Sequence, residues 1–231
     1  MARLSVIVPA YNEAGTILKV LFRVSEQKIE GVELEVIVVD DGSTDDTPKL
    51  LASNPDLYTH SVRMEVNGGK GAAVIAGLKK ATGDYVLFQD ADLEYDPSDY
   101  AALLQPVQEF GADLVMGSRV TAPRHVRIIY FWHKVGNRLI TLFFNILNNT
   151  TFTDVYSCYL LYRRSLVNPE KIKSRGWEQH AEILSIVSRE AKIAYEVPIS
   201  YHGRAYADGK KIRAYHLFPV LWMIFRSRVL G

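Results

Sequence analysis

The stretch GDYVLFQDADLE, residues 83–94, joins an apolar run to an alternating acidic run. The apolar part, YVLFQ, has the length and composition of a buried β-strand. Asp90, Asp92 and Glu94 follow at alternate positions, so their carboxylates can converge on one side of the chain. Such a cluster is costly unless cations or water screen it. Because Mg²⁺ and Mn²⁺ prefer oxygen ligands and often share them with substrate phosphates, we expect a metal site here; a solvated acidic turn is the alternative.

Further apolar runs alternate with helical patterns along the first half of the chain. Strands are predicted at 4–8, 34–39, 58–66, 85–89 and 113–117, and helices at 14–25, from residue 45, at 70–81 and at 97–109. The second half predicts a helix at 126–148, a strand at 156–163, a helix at 179–190, a strand at 193–201 and an apolar, basic tail at 212–229. This order predicts an α/β fold, a Rossmann-like, mostly parallel sheet with helices on both faces. Ligands of such sheets bind beyond the carboxyl ends of the strands.

Composition narrows the class of protein. The 231 residues carry a formal net charge of +1, which gives no basic excess for nucleic acid. The single cysteine, Cys158, cannot form an internal disulfide, and we expect it to be a buried residue. Residues 1–8 lack the features of a signal peptide, and no apolar stretch reaches the roughly 20 residues of a spanning helix. These features predict a cytoplasmic protein.

Two polar motifs follow the first two predicted strands. PAYNE occupies residues 9–13, and DDGSTDDT occupies residues 40–47. Tyr11 could stack on a base, and Asp41 could accept a hydrogen bond from a ribose hydroxyl or a base edge. Asp, Gly, Ser and Thr also form turns and helix caps, so a purely structural role remains open at this point.

A third motif, NGGKGAA at residues 67–73, opens a predicted helix. Its glycines allow close approach of the backbone, and Lys70 adds a positive charge at a helix N-terminus, which suits phosphate oxygens. The spacing differs from that of a Walker A loop. Placed before the acidic run, the motif strengthens the prediction of a metal–phosphate site.

In this order PAYNE, VVDDGSTDDT, NGGKGAA, GDYVLFQDADLE and GSR resemble the family 2 glycosyltransferases of the GT-A fold. The chain is most similar to the polyprenyl-phosphate branch, which includes dolichyl-phosphate mannose synthase. The strong similarity covers about residues 3–119, and a looser similarity continues to Lys211. We therefore predict a GT-A domain over residues 1–211 and a separate C-terminal helix, a candidate for membrane association, over residues 212–231.

The resemblance implies a role for each matching residue. The residues implied to hold the nucleotide-sugar donor are Pro9, Tyr11, Glu13 and Asp41, with Lys70 at its phosphates. Those implied to surround Mg²⁺ or Mn²⁺ and the diphosphate are Asp90, Asp92 and Glu94. Those implied to bind the acceptor phosphate are Arg119, Lys134 and Lys211. The position of Glu94 is often Gln in the synthases, but a carboxylate is still a competent ligand. Asp90, Asp92 and Arg119 would form the catalytic set.

The resemblance implies inverting, metal-dependent transfer of a sugar, from GDP-mannose or a UDP-hexose, to a polyprenyl phosphate. A phosphate monoester is largely anionic at pH 7, so this acceptor needs cations and no protein base. The alternative is transfer to a hydroxyl of a glycan or lipid-linked saccharide, which needs a carboxylate base such as Glu182 or Glu178. An inactive nucleotide-sugar binder is a third reading, and the intact acidic run argues against it. The residues do not choose the donor.

Two segments have the mixture of aromatic, aliphatic and basic residues that membrane-surface helices have. They are IIYFWHKVGNRLITLFF at 128–144 and YHLFPVLWMIFRSR at 215–228. The basic residues available to anionic headgroups are Arg124, Arg127, Lys134, Arg138, Arg226 and Arg228. We expect a peripheral protein at the cytoplasmic face of a membrane, acting alone or with a membrane protein partner. The alternative is that both stripes face the core.

Overall fold

The computed structural model describes residues 1–121, 131–203 and 217–230. The strands in these segments are β1 (Ala2–Ala10), β2 (Val32–Asp40), β3 (His60–Arg63), β4 (Tyr85–Phe88), β5 (Leu114–Ser118), β6 (Leu160–Arg163) and β7 (Ala194–Pro198). The α-helices are α1 (Ile17–Ser25), α2 (Thr47–Ala52), α3 (Lys70–Lys80), α4 (Tyr100–Phe110), α5 (Phe131–Asn148), α6 (Gln179–Glu190) and α7 (Leu217–Val229).

All of these strands belong to one sheet, in the order β3-β2-β1-β4-β6-β5-β7. β6 runs antiparallel to both of its neighbours, and every other neighbouring pair is parallel. Residues 36–39 of β2 and 85–88 of β4 are buried at every position, which requires cover on both faces of the sheet. The predicted α/β fold with a mostly parallel sheet is confirmed, and β6 is the exception that apolar composition did not indicate.

Helix α3 shows how closely the helices approach the sheet. It packs against β1 and β2 and buries Ala72, Ala73 and Val74. A Cβ atom at Gly77 would lie 2.5 Å from Cγ2 of Ile7 in β1, so only glycine allows this separation. This close packing fixes the N-terminus of α3 beside the carboxyl ends of β1 and β2.

Several predicted elements are shorter in the structure than in the sequence pattern. The helix expected from residue 97 begins at Tyr100, because Pro97–Asp99 forms a 3-10 turn, in which the Asp96 side chain accepts the N–H of Ser98. The strand expected at 156–163 shortens to Leu160–Arg163. Cys158 was expected to be buried in a strand; it is buried, but it precedes this strand.

The second half of the chain adds a helical layer in which α7 packs against α5 and α6. Val220, Met223 and Ile224 form the buried side of α7. In the described parts of the chain, no helix has both the length and the apolar character needed to cross a bilayer. The domain boundary predicted at residue 211 lies outside the described residues.

Candidate active site at the carboxyl end of the sheet

The motifs after β1 and β2 bind each other. The backbone N–H of Asn12 donates to Ser43 Oγ at 3.0 Å, and Asn12 Oδ1 accepts from the N–H of Thr44 at 2.9 Å. Asn12 has a φ of 53°, a left-handed conformation that Asn tolerates better than most residues. The structural reading of these motifs therefore holds for the loop residues, and the paired loops form one wall of the candidate site.

Asp41 joins this wall to the glycine loop before α3. Its two carboxylate oxygens accept the N–H groups of Gly68 and Gly69, at 2.8 and 3.0 Å. Burial raises the pKa of Asp41, and these two N–H donors work against that rise. Asp41 is thus an anchor of the glycine loop, and its contact with a nucleoside stays a prediction.

The other residues predicted for the nucleoside lie on the same edge. Pro9 and Tyr11 are partly exposed at the end of β1, and Glu13 accepts a hydrogen bond from the Thr16 hydroxyl at 2.9 Å. The structure therefore places Pro9, Tyr11 and Glu13 on the edge where Asp41 lies, as the order of the motifs predicted.

A distant loop, residues 173–177, packs against the start of α3. The carbonyl of Arg175 accepts the N–H of Ala72 at 3.1 Å, and a Cβ atom at Gly69 or Gly71 would lie 2.7 Å from that carbonyl oxygen. One of the N–H groups at this helix N-terminus is therefore already used by the protein. The second and third glycines of NGGKGAA serve this packing as well as any approach of a phosphate.

Lys70 and Asp90 form an ion pair at the centre of the site. The Lys70 Nζ atom contacts Asp90 Oδ1 and lies 5.1 Å from the centroid of the Trp177 ring. Burial alone would lower the pKa of Lys70, but the charge of Asp90 raises it above the usual value. Burial alone would raise the pKa of Asp90, and Lys70 reverses this, so both groups are charged at neutral pH. Sequence reasoning assigned the two residues to different ligands and missed their contact.

Gln89, the last residue of the apolar stretch, is hydrogen-bonded to the backbone of Asp90 and to two tyrosines. Its Oε1 atom accepts hydrogen bonds from the hydroxyls of Tyr100 and Tyr159, both at 2.8 Å, and its Nε2 atom donates to the Asp90 carbonyl at 3.0 Å. Gln89 is fully buried. The sequence signal for this role was a polar residue that ends a buried strand directly before the acids.

Asp92 and Glu94 accept hydrogen bonds from groups other than Lys70. Asp92 Oδ1 accepts the N–H of Glu94 at 3.0 Å, and Glu94 Oε2 accepts the hydroxyl hydrogen of Tyr201 at 2.8 Å. Within residues 1–121, 131–203 and 217–230 no three His, Cys, Asp or Glu side chains are gathered as a metal-binding group. The predicted trio of Asp90, Asp92 and Glu94 is therefore not preassembled.

The donor atoms nevertheless fit a hard divalent ion. Mg²⁺ is usually held by one or two carboxylates and completes its coordination with water and substrate phosphates. Asp90 and Asp92, two residues apart on one loop, provide that number of carboxylates beside the glycine loop. The site therefore fits a metal ion that binds together with a diphosphate. The described residues do not provide a complete set of protein ligands.

Arg119, after β5, is clamped by a residue that sequence reasoning missed. Its Nε and Nη2 atoms donate to the two carboxylate oxygens of Asp154, each at 2.7 Å, and its guanidinium lies 5.0 Å from the centroid of the Tyr201 ring. Asp154 is buried, and Glu196 fixes it in place by accepting its N–H at 3.2 Å. The only sequence signal for this role of Asp154 was an acidic residue between polar and apolar residues in TDVYS.

These contacts link the acidic loop to the cation. Glu94 bonds to the Tyr201 hydroxyl, and the ring of the same tyrosine stacks on Arg119. Tyr201 is largely buried, and burial raises its pKa, so the phenol remains a hydrogen-bond donor at neutral pH. Tyr201 therefore connects the acidic loop, at its hydroxyl, with Arg119, at its ring.

The sequence pattern of glycosyl transferase family 2 matches residues 5–169. The chain belongs to this family. Over 97% of its length it is 28% identical to the UDP-N-acetylglucosamine–dolichyl-phosphate N-acetylglucosaminyltransferase of Methanococcus voltae, of which it covers 96%. It is 29% identical to the dolichol-phosphate mannosyltransferase of Pyrococcus furiosus, covering 97% of this chain and 63% of that protein. The resemblance inferred from the motifs is confirmed, and the chain is a glycosyltransferase.

Solved structures confirm the GT-A architecture of this family 2 chain. Glucosyl-3-phosphoglycerate synthase from Mycobacterium tuberculosis, solved with Mn²⁺, UDP and glucosyl-3-phosphoglycerate, aligns with a TM-score of 0.69 at 20% identity. The alignment covers 98% of this chain and 80% of that one. At this identity the comparison supports the fold.

The two glutamates considered as bases in the family 2 chain have structural partners. Glu182 is buried and accepts N–H groups from Lys173, at 3.1 Å, and Ser174, at 2.8 Å. Glu178 accepts the N–H of Gly176 at 3.2 Å. Both carboxylates therefore hold the loop that packs on α3, and Glu182 is positioned as an anchor rather than as a base.

The predicted acceptor cations are only partly placed by the structure. Arg119 adjoins the acidic loop through Tyr201, whereas Lys134 lies on the exposed face of α5. Lys211 lies outside the described residues, as do Arg124 and Arg127. Whether Lys134 and Lys211 contact the acceptor stays a prediction.

His180 is a further residue that the sequence did not single out. It is 8% exposed, and its Nε2 atom has no hydrogen-bond partner among the residues that the structure describes. Burial and the nearby positive charge of Lys70 lower its pKa to about 4. The imidazole is therefore neutral at pH 7, and it adds no second positive charge beside Lys70.

Proposed function

We propose that this family 2 glycosyltransferase transfers a hexose, with inversion, from a nucleotide sugar to a polyprenyl phosphate in a metal-dependent reaction. The observation that carries the proposal is the bridge from Glu94 through Tyr201 to Arg119. It sets the acidic loop, which suits a metal-bound diphosphate, beside a buried guanidinium, which suits an anionic acceptor. The relatives named for dolichyl-phosphate acceptors support the same acceptor class.

The nucleotide-sugar donor would bind at the edge formed by β1, β2 and α3. Pro9, Tyr11 and Glu13 would bind the nucleoside while Asp41 keeps the glycine loop in place. Asp90 and Asp92, with Glu94 beside them, would hold a Mg²⁺ or Mn²⁺ ion. The bound ion would neutralise negative charge on the leaving diphosphate. Lys70, at the start of α3, would contact the diphosphate as well.

The acceptor side requires orientation more than proton transfer. A lipid phosphate has a second pKa near 6, so at pH 7 its oxygen is already a nucleophile and no protein base is required. Asp154 holds the Arg119 guanidinium in one orientation with two hydrogen bonds, which leaves its remaining edge for a phosphate oxygen. The commitment of Glu182 to backbone N–H groups agrees with this acceptor and argues against a hydroxyl acceptor.

A transfer assay tests the proposal directly. Radiolabelled UDP- and GDP-sugars are offered with a short polyprenyl phosphate, with Mn²⁺ or with EDTA. We expect label to enter the organic phase from one donor and to be lost with EDTA. Metal-dependent hydrolysis of a donor without lipid labelling would contradict the lipid-phosphate acceptor while leaving the transferase class intact.

The proposal includes a peripheral position on a membrane surface. Helices α5 and α7 pack together and contain no acidic residue. Their exposed aromatic residues are Phe131, Trp132, Phe218 and Trp222, with exposed fractions of 69%, 76%, 75% and 56%. Their basic residues are Lys134, Arg138, Arg226 and Arg228. Exposed aromatics beside positive charges suit an anionic lipid interface, and the reading in which both stripes face the core does not fit these exposures.

Vesicle sedimentation tests this surface. We expect binding to anionic vesicles that weakens with salt, and the pair Trp132→Ser and Trp222→Ser should weaken it by about tenfold, or about 1.4 kcal/mol. The pair Phe22→Ser and Val66→Ser, which also removes two exposed apolar side chains, is the control. Equal binding of both pairs would contradict the assignment of the surface to α5 and α7.

A further inference from the structure

The Lys70 ammonium lies beside a carboxylate and an aromatic ring. Its ammonium contacts the carboxylate of Asp90 and lies over the ring of Trp177. The side chains of Lys70 and Asp90 are only 20% and 22% exposed, so the pair is mostly shielded from water. Trp177 belongs to the loop whose Arg175 carbonyl is bonded to α3, so the ring is held beside the lysine.

We propose that Lys70 is a movable internal cation, which neutralises Asp90 until a donor diphosphate draws its ammonium away and frees Asp90 for the divalent ion. The inference rests on the nucleotide-sugar donor of the proposed function. It adds an order to the binding events that the activity alone does not require.

The physical basis is that two cations held close to one shielded carboxylate repel each other. An unpaired Asp90 would be costly in this shielded position, so Lys70 stays on it while no other cation replaces it. A divalent ion arriving alone meets the repulsion of the ammonium. Around Asp90, Arg119 adds positive potential, Asp92 adds negative potential, and His180 is neutral. The position of Lys70 therefore decides the electrostatic potential that an arriving metal ion meets at Asp90.

Lysine suits this role because its ammonium is a compact charge on a flexible stem. The residue stands at the first position of α3, where phosphate oxygens are favoured by the helix N-terminus. A diphosphate there offers Lys70 a second anion within the reach of its side chain. Metal and nucleotide should therefore bind cooperatively, and by linkage each raises the affinity of the other by the same factor.

The first test measures Mn²⁺ binding by electron paramagnetic resonance, in the absence of nucleotide and acceptor. We expect Lys70→Met to bind Mn²⁺ at least about tenfold more tightly than the unchanged chain, a factor within the usual range of such coupling. Lys80→Met removes the same charge from the exposed end of the same helix and should leave the affinity unchanged. Equal Mn²⁺ affinity of Lys70→Met and the unchanged chain would overturn the proposal.

The second test needs no change at the site and so does not depend on how a Lys70 variant folds. In the chain with Trp132→Phe and Trp222→Phe, Trp177 is the remaining tryptophan and reports the ammonium that lies over its ring. UDP or GDP together with Mn²⁺ should change its emission, and Mn²⁺ alone should not at the same concentration. An equal change with Mn²⁺ alone, or none in any mixture, would refute movement of Lys70. Neither test contains an acceptor, so failure of lipid transfer would not be confused with failure of this inference.

Discussion

Replacing Asp92 by Ala should lower sugar transfer by at least about a thousandfold, because several kcal/mol of charge stabilisation at the leaving diphosphate depend on the metal that Asp92 would hold. The fold should change little. Asp92 accepts the N–H of Glu94, and such a bond contributes about 1 kcal/mol to stability. The measurement is the rate of transfer at saturating donor, with the melting temperature of each variant recorded beside it.

Two further variants separate charge from local structure at this position. Asp92→Asn keeps an oxygen that can accept the N–H of Glu94 but removes the negative charge, and it should be nearly as inactive as Asp92→Ala. Asp96→Ala removes another loop-capping acid from the same segment and should retain transfer. Near-normal transfer by Asp92→Asn would remove Asp92 from the metal site.

Replacing Arg119 by Met should have the largest effect on stability. Asp154 is 2% exposed at its side chain and would lose its two bonds to the guanidinium. Breaking a buried ion pair from one side typically costs about 3–5 kcal/mol in the free energy of unfolding. We expect a clear fall in the denaturation midpoint, together with loss of transfer to the lipid phosphate.

The double variant Arg119→Met with Asp154→Asn distinguishes the structural role of Arg119 from its role at the acceptor. It leaves no buried charge unpaired, so much of the stability should return. Lipid transfer should stay low because the cation is still missing. Recovery of transfer together with stability would show that Arg119 acts only through the fold.

The stability of the Arg119 variant should also depend on pH in a defined direction. Burial alone would raise the pKa of Asp154, but the charge of Arg119 holds it below the usual value in the unchanged chain. This pair therefore stabilises the fold above about pH 4, the unfolded pKa, and the contribution is lost as pH falls through the folded pKa. In Arg119→Met the Asp154 carboxyl is buried without its cation, and its pKa rises. The loss in free energy of unfolding, relative to the unchanged chain, should therefore be largest near pH 7 and shrink toward pH 4. Urea unfolding at both pH values measures the difference, and a deficit that grows on acidification would contradict this account.

The sequence located the site because its signals are local. The acidic and Asp41 motifs each follow an apolar strand, and parallel strands bring such ends to one edge of the sheet. The residues that hold the site together come from far along the chain and left weak signals. Tyr201 reaches Glu94 across 107 residues, and Gln89 is reached by Tyr159 across 70.

The sequence did not show the partners of a side chain or the direction of a strand. Glu182 stands in a helical stretch with the charge of a base, and only the structure shows that its oxygens accept backbone N–H groups. The reversed direction of β6 was equally hidden, because a buried strand is apolar whichever way it runs. Periodicity reports burial, and it does not report the partner or the direction.

The reversed strand β6 has a consequence for how such enzymes diversify. It separates the four parallel strands that carry the donor motifs from β5 and β7, which lead to Arg119 and Tyr201. The junction on the donor side consists of three residue pairs, Tyr85 with Arg163, Val86 with Tyr162, and Leu87 with Leu161. A recombinant chain with a different second half would have to keep these pairs and also the contacts that Tyr159, Arg175 and Tyr201 make with the first half. Substrate preference can therefore be exchanged across this seam only together with those contacts.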